Sequence, residues 1–484
     1  MPSTSSFIPD FSSFIPHHSS FPSRRTALQT CASGFGMLAF SALAAKAAEK
    51  EAKPLAPKAS HFPAKAKHVI FLCMDGGPSH VDTFDYKPKL LADDGKSYSK
   101  ARGFGGKLLG SPWAFKKHGQ SGTMISELFP ELAKHADDLC LLNGVHTDVP
   151  NHPQAFLQMH CGLSQFPRPS IGAWVLYGLG SQNENLPGFV TIAPPQNNGG
   201  PANYGASFLP AIYQGTKIGG GGGRFGGDSQ AVSNIKNPKQ TTAEQRTQLD
   251  FLQSLNRTAA EATGENAAVE GLIESYELAF RMQAELPKVI DLSKETKEML
   301  AKYGIGGNAG GGPRGGGTDT FGKQCLMARK LIEAGVRFVE ITKSGWDQHR
   351  NLKDDLANNC QSIDKPIAAL LADLKQRGLL KDTLVIWGGE FGRTPYAQGT
   401  DGRDHNNKGF SMWLAGGGVK GGLTHGKTDD YGHEAVEGKV HVHDWHATVL
   451  HLLGLDHEKL TFRQAGREMR LTDVKGNVVK EVLA

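Results

Sequence analysis

Short apolar runs recur along the chain, each closed by glycine or by charged residues, and the intervals between them have helical spacing. The first run is His68-Val69-Ile70-Phe71-Leu72-Cys73-Met74. Leu139–Asn143, Gly188–Ala193, Val336–Ile341, Thr383–Trp387 and Gly409–Leu414 follow. Runs this short and this apolar predict strands buried on both faces, as in a parallel sheet. Apolar residues three and four apart predict helices over Ile125–Lys134, Ala155–His160, Ser170–Gly180, Thr320–Ala334, Leu352–Gly378 and Ala447–Leu453. The alternation predicts an α/β fold with a mostly parallel central sheet and helices on both faces.

Thr241–Tyr303 is polar and helical, interrupted near Gly264. Leu249, Leu252 and Leu255, then Leu272, Tyr276 and Phe280, keep a helical register in it. With the glycine tracts Gly219–Gly227 and Gly304–Gly317 it forms a helical insert over about 219–317. The first tract lacks the Lys-Ser/Thr ending and the strand–helix setting of a phosphate-binding loop. No GxGxxG follows a strand, which removes the usual dinucleotide fingerprint of an oxidoreductase.

The termini read differently. Ser23-Arg24-Arg25-Thr26-Ala27-Leu28-Gln29 followed by the small-residue run Cys31–Ala45 is similar to a twin-arginine export signal, so 1–47 is set aside as a signal segment. That run is too short to span a bilayer comfortably, and no stable membrane span is expected after its removal. The Lys/Ala/Pro stretch 48–67 reads as a linker, 68–455 as the α/β domain and 456–484 as a C-terminal appendage with a hairpin-like turn at Lys475-Gly476-Asn477. The net charge of +5 over 484 residues comes partly from the N-terminal region, and no dense basic block interleaved with aromatics marks a nucleic-acid partner. Five cysteines lie after the signal, Cys73, Cys140, Cys161, Cys325 and Cys360, without CxxC pairing. An odd count argues against a full disulfide framework.

The chemistry gathers where strands end. In open α/β sheets, sites lie beyond the carboxyl ends of the strands. The first strand ends in Asp75-Gly76-Gly77-Pro78-Ser79-His80-Val81-Asp82, a later one in Gly345-Trp346-Asp347-Gln348-His349, and another in Gly388-Gly389-Glu390-Phe391-Gly392-Arg393, with Asp404-His405 just beyond. Hard carboxylates with imidazoles suit Zn, Mn, Ca or Mg. For Asp75, helix capping competes with metal binding. Ser79 and Asp82 are also candidate caps. Asn151-His152 sits at a helix start, where free N–H groups can hold an anion, although Asn is also an ordinary N-cap.

The motifs MDGGPSHVDTFD, NHPQAFLQMHCG, GWDQHRNL, WGGEFGRTP, GRDHNNKGF and HVHDWHATVLHLLG resemble those of the DUF1501 family of exported, sulfatase-like proteins in the alkaline phosphatase–sulfatase superfamily. The resemblance runs from about Lys67 to the C-terminus. It implies two metal positions beside a nucleophile at a helix N-terminus. Asp75 matches the aspartate after the first strand, and Asp347 with His349 resembles an Asp–His pair, two residues apart here rather than the usual four. Glu390 replaces Asp in a strand-end pair and Phe391 replaces its His or Asn. His405 resembles the late histidine ligand, and Asp404 is grouped with it. Asn151-His152-Pro153 falls where sulfatases carry the Cys/Ser that becomes formylglycine, so the standard covalent nucleophile is missing. The resemblance thus implies Asp75, Asp347, His349, Glu390, Asp404 and His405 as metal ligands. It leaves His80 or His152 as general acid or base, and Arg393 with Asn151 and Ser79 as binders of an anionic oxygen. Ser79 is on the wrong loop to serve well as a nucleophile. The expected activity is metal-dependent hydrolysis of sulfate or phosphate esters on an anionic small molecule or sulfated glycan. The alternative is an inactive relative that binds metal and anionic glycan.

Overall fold

The computed structural model describes residues 54–101, 106–219, 239–263, 267–306 and 318–484, together with 235 and 237. The expected signal segment 1–47 and most of both glycine tracts lie outside the described residues. The strands that matter below are β1 (His68–Asp75), β2 (Leu139–His146), β3 (Phe189–Ile192), β4 (Thr216–Ile218), β5 (Phe338–Ser344) and β6 (Thr383–Gly388). They continue with β7 (Gly392–Gln398), β8 (Gly402–Asn406), β9 (Phe410–Ala415), β10 (Leu423–His425) and β11 (Val440–His441). The principal helices are α1 (His152–Cys161), α2 (Ile171–Leu179), α3 (Thr242–Thr263), α4 (Ala267–Ile290), α5 (Thr318–Glu333), α6 (Leu352–Gln376) and α7 (Val442–Leu452).

The nine-stranded sheet has the order β10-β2-β9-β6-β1-β5-β3-β4, with β11 added beside β2. β1 pairs in parallel with β5 and β6, and β3 in parallel with β5 and β4. β9 alone reverses, running antiparallel to both β2 and β6. All eight residues of β1 are buried, as the unbroken apolar run requires of a central strand. Each large apolar side chain so buried contributes about 1.5–3 kcal/mol relative to exposure. Ile70, Leu72 and Met74 face one core layer with α5 and α6, while Val69, Phe71 and Cys73 face the other with α1, α2 and α7.

Two local expectations are corrected. The apolar spacing of Ile125–Lys134 is not a helix: Thr123–Ser126 is a strand paired with Phe115–His118, and a 3-10 helix follows at Leu132–Asp138. Pro130 falls between the two, where it interrupts helical hydrogen bonding. The C-terminal hairpin pairs Phe462–Gln464 with Arg467–Met469 rather than turning at Lys475-Gly476-Asn477. Leu471 and Val482 from this segment are buried in the layer that contains α7. The segment before β1 is laid along the domain, with the His61 amide donating to Gly454 and the Ser181 amide to Leu55. All five cysteines after the expected signal are free and buried. Among the described residues no helix is long and apolar enough to cross a membrane.

Candidate metal centre

Three loops and one helix start meet beyond the carboxyl ends of β1, β5 and β6. Gly76, at φ 122°, continues β1 backbone to backbone with the Trp346-Asp347 loop; a Cβ there would lie 2.7 Å from the Asp347 nitrogen. Only glycine tolerates both that φ and that approach. The β7–β8 hairpin then folds over the same loop, bringing His405 beside His349.

The centre is a convergence of three imidazoles on one carboxylate oxygen. Asp347 Oδ1 lies 3.1 Å from His152 Nε2, 2.9 Å from His349 Nε2 and 3.4 Å from His405 Nε2. Each ring is held from behind by an acceptor. His152 Nδ1 donates to Glu390 Oε1 at 2.5 Å, His405 Nδ1 to the Pro150 carbonyl at 2.8 Å, and His349 Nδ1 to Gln398 Oε1. A carbonyl, an amide oxygen and a carboxylate can only accept, so each Nδ1 carries the hydrogen and each Nε2 presents a lone pair in the neutral ring. His349 Nε2 and His405 Nε2 face each other at 2.8 Å. Two lone pairs at that distance repel unless a cation or proton lies between them. His152 Nε2 is buried and has no aligned hydrogen-bond partner. This is the donor set and the outer hydrogen bonding of a metal-ligating histidine cluster, and the residues present fit a divalent ion.

The electrostatics agree. Burial works against charge on His152, but the adjacent carboxylates of Asp347 and Glu390 outweigh it and push its pKa up to about 9. Burial would raise Asp347, but His152, His405 and Arg393 hold it well below the usual carboxylate range. The Asp347 side chain is 47% exposed, so the centre opens to solvent. Phe391 walls its inner side, its ring 4.8 Å from that of His152 and 4.7 Å from that of His405.

The structure therefore brings Asp347, His349 and His405 together, and it adds His152, which the sequence suggested only as an acid, base or anion binder. The other candidates stand elsewhere. Glu390 is one layer back: it accepts from His152 and from the Gly76 amide at 3.1 Å. Asp75 is occupied by Asn198 Nδ2 at 2.6 Å and Ser344 Oγ at 2.7 Å. Asp404 accepts from the His405 amide beside it at 2.8 Å.

Arg393 is not an anion clamp. It is fully buried and donates to Asp347 Oδ1 at 2.6 Å and to the carbonyls of Gly76, Gly77, Trp346 and Arg403. Ser79 is buried and donates to Asp82 Oδ2 at 2.5 Å. His80 is buried, with Nε2 2.7 Å from the Gly432 carbonyl. Asn151 is the N-cap of α1, accepting from the Gln154 amide. Gln398, Pro150 and Asn198 were not singled out in the sequence; a supporting amide or carbonyl has no pattern of its own.

Comparison with solved structures finds remote resemblances. A protein of the alkaline phosphatase superfamily from Vibrio parahaemolyticus is 10% identical, with 83% of this chain and 70% of that chain covered and a TM-score of 0.37. The PsFucS1 sulfatase from Pseudoalteromonas sp. is 12% identical, with coverage of 81% and 68% and a TM-score of 0.35. The lipoteichoic acid synthase LtaP from Listeria monocytogenes is 9% identical, with coverage of 89% and 80% and a TM-score of 0.34. No curated protein sequence matches the chain. Residues 66–483 match the family described as Protein of unknown function (DUF1501), and the chain belongs to that family.

Proposed function

We propose that the protein is an exported, metal-dependent hydrolase of sulfate or phosphate esters, acting on an anionic small molecule or a sulfated glycan without a covalent nucleophile. The observation that carries this reading is the convergence of His152, His349 and His405 on Asp347 Oδ1, with every Nδ1 held by an acceptor. Three nitrogen donors and one oxygen favour Zn over Ca, Mg or Mn, which prefer oxygen-rich shells. A divalent ion held there supplies Lewis-acid polarisation of an ester oxygen and lowers the pKa of water. The chain's own residues set the geometry. Glu390 fixes the tautomer and aim of His152, and Arg393 fixes Asp347. Phe391 excludes water from the inner side. Ser79 is locked onto Asp82, so direct attack by water replaces a covalent step. Export rests on the Arg24-Arg25 segment and its apolar run.

The test pairs metal analysis of the purified protein with hydrolysis of aryl sulfate and aryl phosphate esters, with and without chelator. Stoichiometric metal with chelator-sensitive turnover is expected. Metal without turnover on any anionic ester, sulfated oligosaccharides included, favours the non-catalytic metal- and glycan-binding reading. That reading draws on the full occupation of Arg393 by its own chain. Absence of metal removes both.

Metal uptake is also expected to release protons. His152, held up to about 9 by Asp347 and Glu390, is protonated at neutral pH in the metal-free chain and must lose that proton to ligate. Apparent affinity from this one group therefore rises about tenfold per pH unit from pH 7 toward 9. Calorimetry in buffers of different ionisation enthalpy reads the proton count; an uptake with no proton release contradicts His152 as a ligand.

A further inference from the structure

A second cluster of ligand-type side chains lies under α1, deep in the core and apart from the solvent-facing centre. Side chains alternate along strands, so Cys73 of β1 and Glu340 of β5 both face α1, with Thr342 opposite Cys73 in register and Thr191 of β3 opposite Glu340. His160 points down from α1 onto them. Cys73 and His160 are fully buried and Glu340 is 1% exposed.

These groups are incompletely satisfied. His160 Nδ1 donates to the Phe156 carbonyl at 2.8 Å, which leaves a lone pair on Nε2 in the neutral ring. That Nε2 lies 3.3 Å from Glu340 Oε1, off the hydrogen-bond line, and has no aligned partner. Glu340 Oε2 and Thr191 Oγ1 have none either. Thr342 Oγ1 donates to Glu340 Oε1 at 3.4 Å, so Oε2 is the carboxylate oxygen left without a partner, and a buried polar atom is normally paired. The Cys73 sulfur, an imidazole nitrogen of His160 and a carboxylate oxygen of Glu340 all lie within 4.8 Å of one another.

The geometry points to a buried, structural zinc site formed by Cys73 Sγ, His160 Nε2 and the Glu340 carboxylate. The donor chemistry is that of a borderline-soft divalent ion. Thiolate and carboxylate charges cancel the two charges of the ion, so the core gains no net charge. Binding breaks the Cys73 S–H bond, the sulfur keeping the electron pair for the metal, and removes from His160 Nε2 the proton that Glu340 favours there; both protons go to solvent. Such a site ties α1, and with it His152 at its start, to β1 and β5. Burial excludes a substrate, so the role is structural rather than catalytic.

X-ray absorption at the zinc edge on the full-length protein, produced and purified with Zn(II), tests this. The solvent-facing cluster contains no sulfur donor, so a sulfur shell at about 2.3 Å reports Cys73. The expected result is that shell in the wild type and in His405→Ala. Cys73→Ala should lose the shell and one metal equivalent. A spectrum with nitrogen and oxygen scatterers only, whatever the total metal content, overturns the site, as does a sulfur shell retained in Cys73→Ala. If Cys73→Ala does not fold, the wild-type and His405→Ala spectra decide by themselves.

Discussion

Asp347→Ala is expected to bind the divalent ion of the solvent-facing centre at least about 100-fold more weakly than wild type while remaining folded. Asp347 Oδ1 is the one atom on which His152, His349 and His405 all converge. Its loss removes both a ligand and the charge that draws the three imidazoles together. The structural cost is small by comparison. Arg393 loses its carboxylate partner but keeps the carbonyls of Gly76, Gly77, Trp346 and Arg403. With Asp347 half exposed, solvent screens the pair, and the destabilisation is about 1 kcal/mol. Asp347→Asn keeps an acceptor oxygen and loses the charge, so its affinity should fall between the two. Competition against a chromophoric chelator gives the affinities, and circular dichroism gives the fold. Wild-type affinity in Asp347→Ala would remove this residue from the ligand set and the proposed centre with it.

The fold was legible because its carriers are local. β1, β5 and β6 each announce themselves by an unbroken apolar run and a glycine or charged stop. The same stops placed Asp347, His349 and His405 at one end of the sheet. The division of labour within the site was not legible, because it depends on what stands behind each residue. Arg393 is spelled like an exposed anion binder, yet its guanidinium is consumed by backbone carbonyls of three separate segments. Carbonyl acceptors have no sequence signature. Asp75 follows a strand as a ligand would, but Asn198, 123 residues further along the chain, takes up its carboxylate. Glu390 and His152 exchanged places in the same way: the carboxylate lies behind and the imidazole in front. Glu390, with no exposed side-chain surface, is better placed to orient a ring than to meet a solvated ion.

The largest effect on stability is expected at the buried pair Asp82–Arg403, of which the sequence offers Asp82 only as a candidate cap. Asp82→Asn should lower the unfolding free energy by about 3–5 kcal/mol, the cost of leaving one partner of a buried ion pair unmatched. Asp82 and Arg403 are both fully buried; Arg403 Nε donates to Asp82 Oδ2 at 2.7 Å and Nη2 to Oδ1 at 3.1 Å. Asparagine keeps the volume but removes the charge and one of the two acceptors. The remaining acceptors of Arg403, the carbonyls of Thr394 and Leu109, are neutral. Ser79→Ala removes only one hydrogen bond from the same carboxylate and should cost about 1 kcal/mol. Arg403 lies in β8, and its carbonyl accepts from Arg393 at 3.1 Å, so this pair fastens the loop after β1 to the hairpin that carries His405. Denaturant titration of the wild type and both variants gives the ordering. If Ser79 and Asp82 instead bound substrate, Asp82→Asn would raise KM and leave the unfolding midpoint where it was; a shifted midpoint with KM unchanged in the folded fraction assigns the pair to holding the site together.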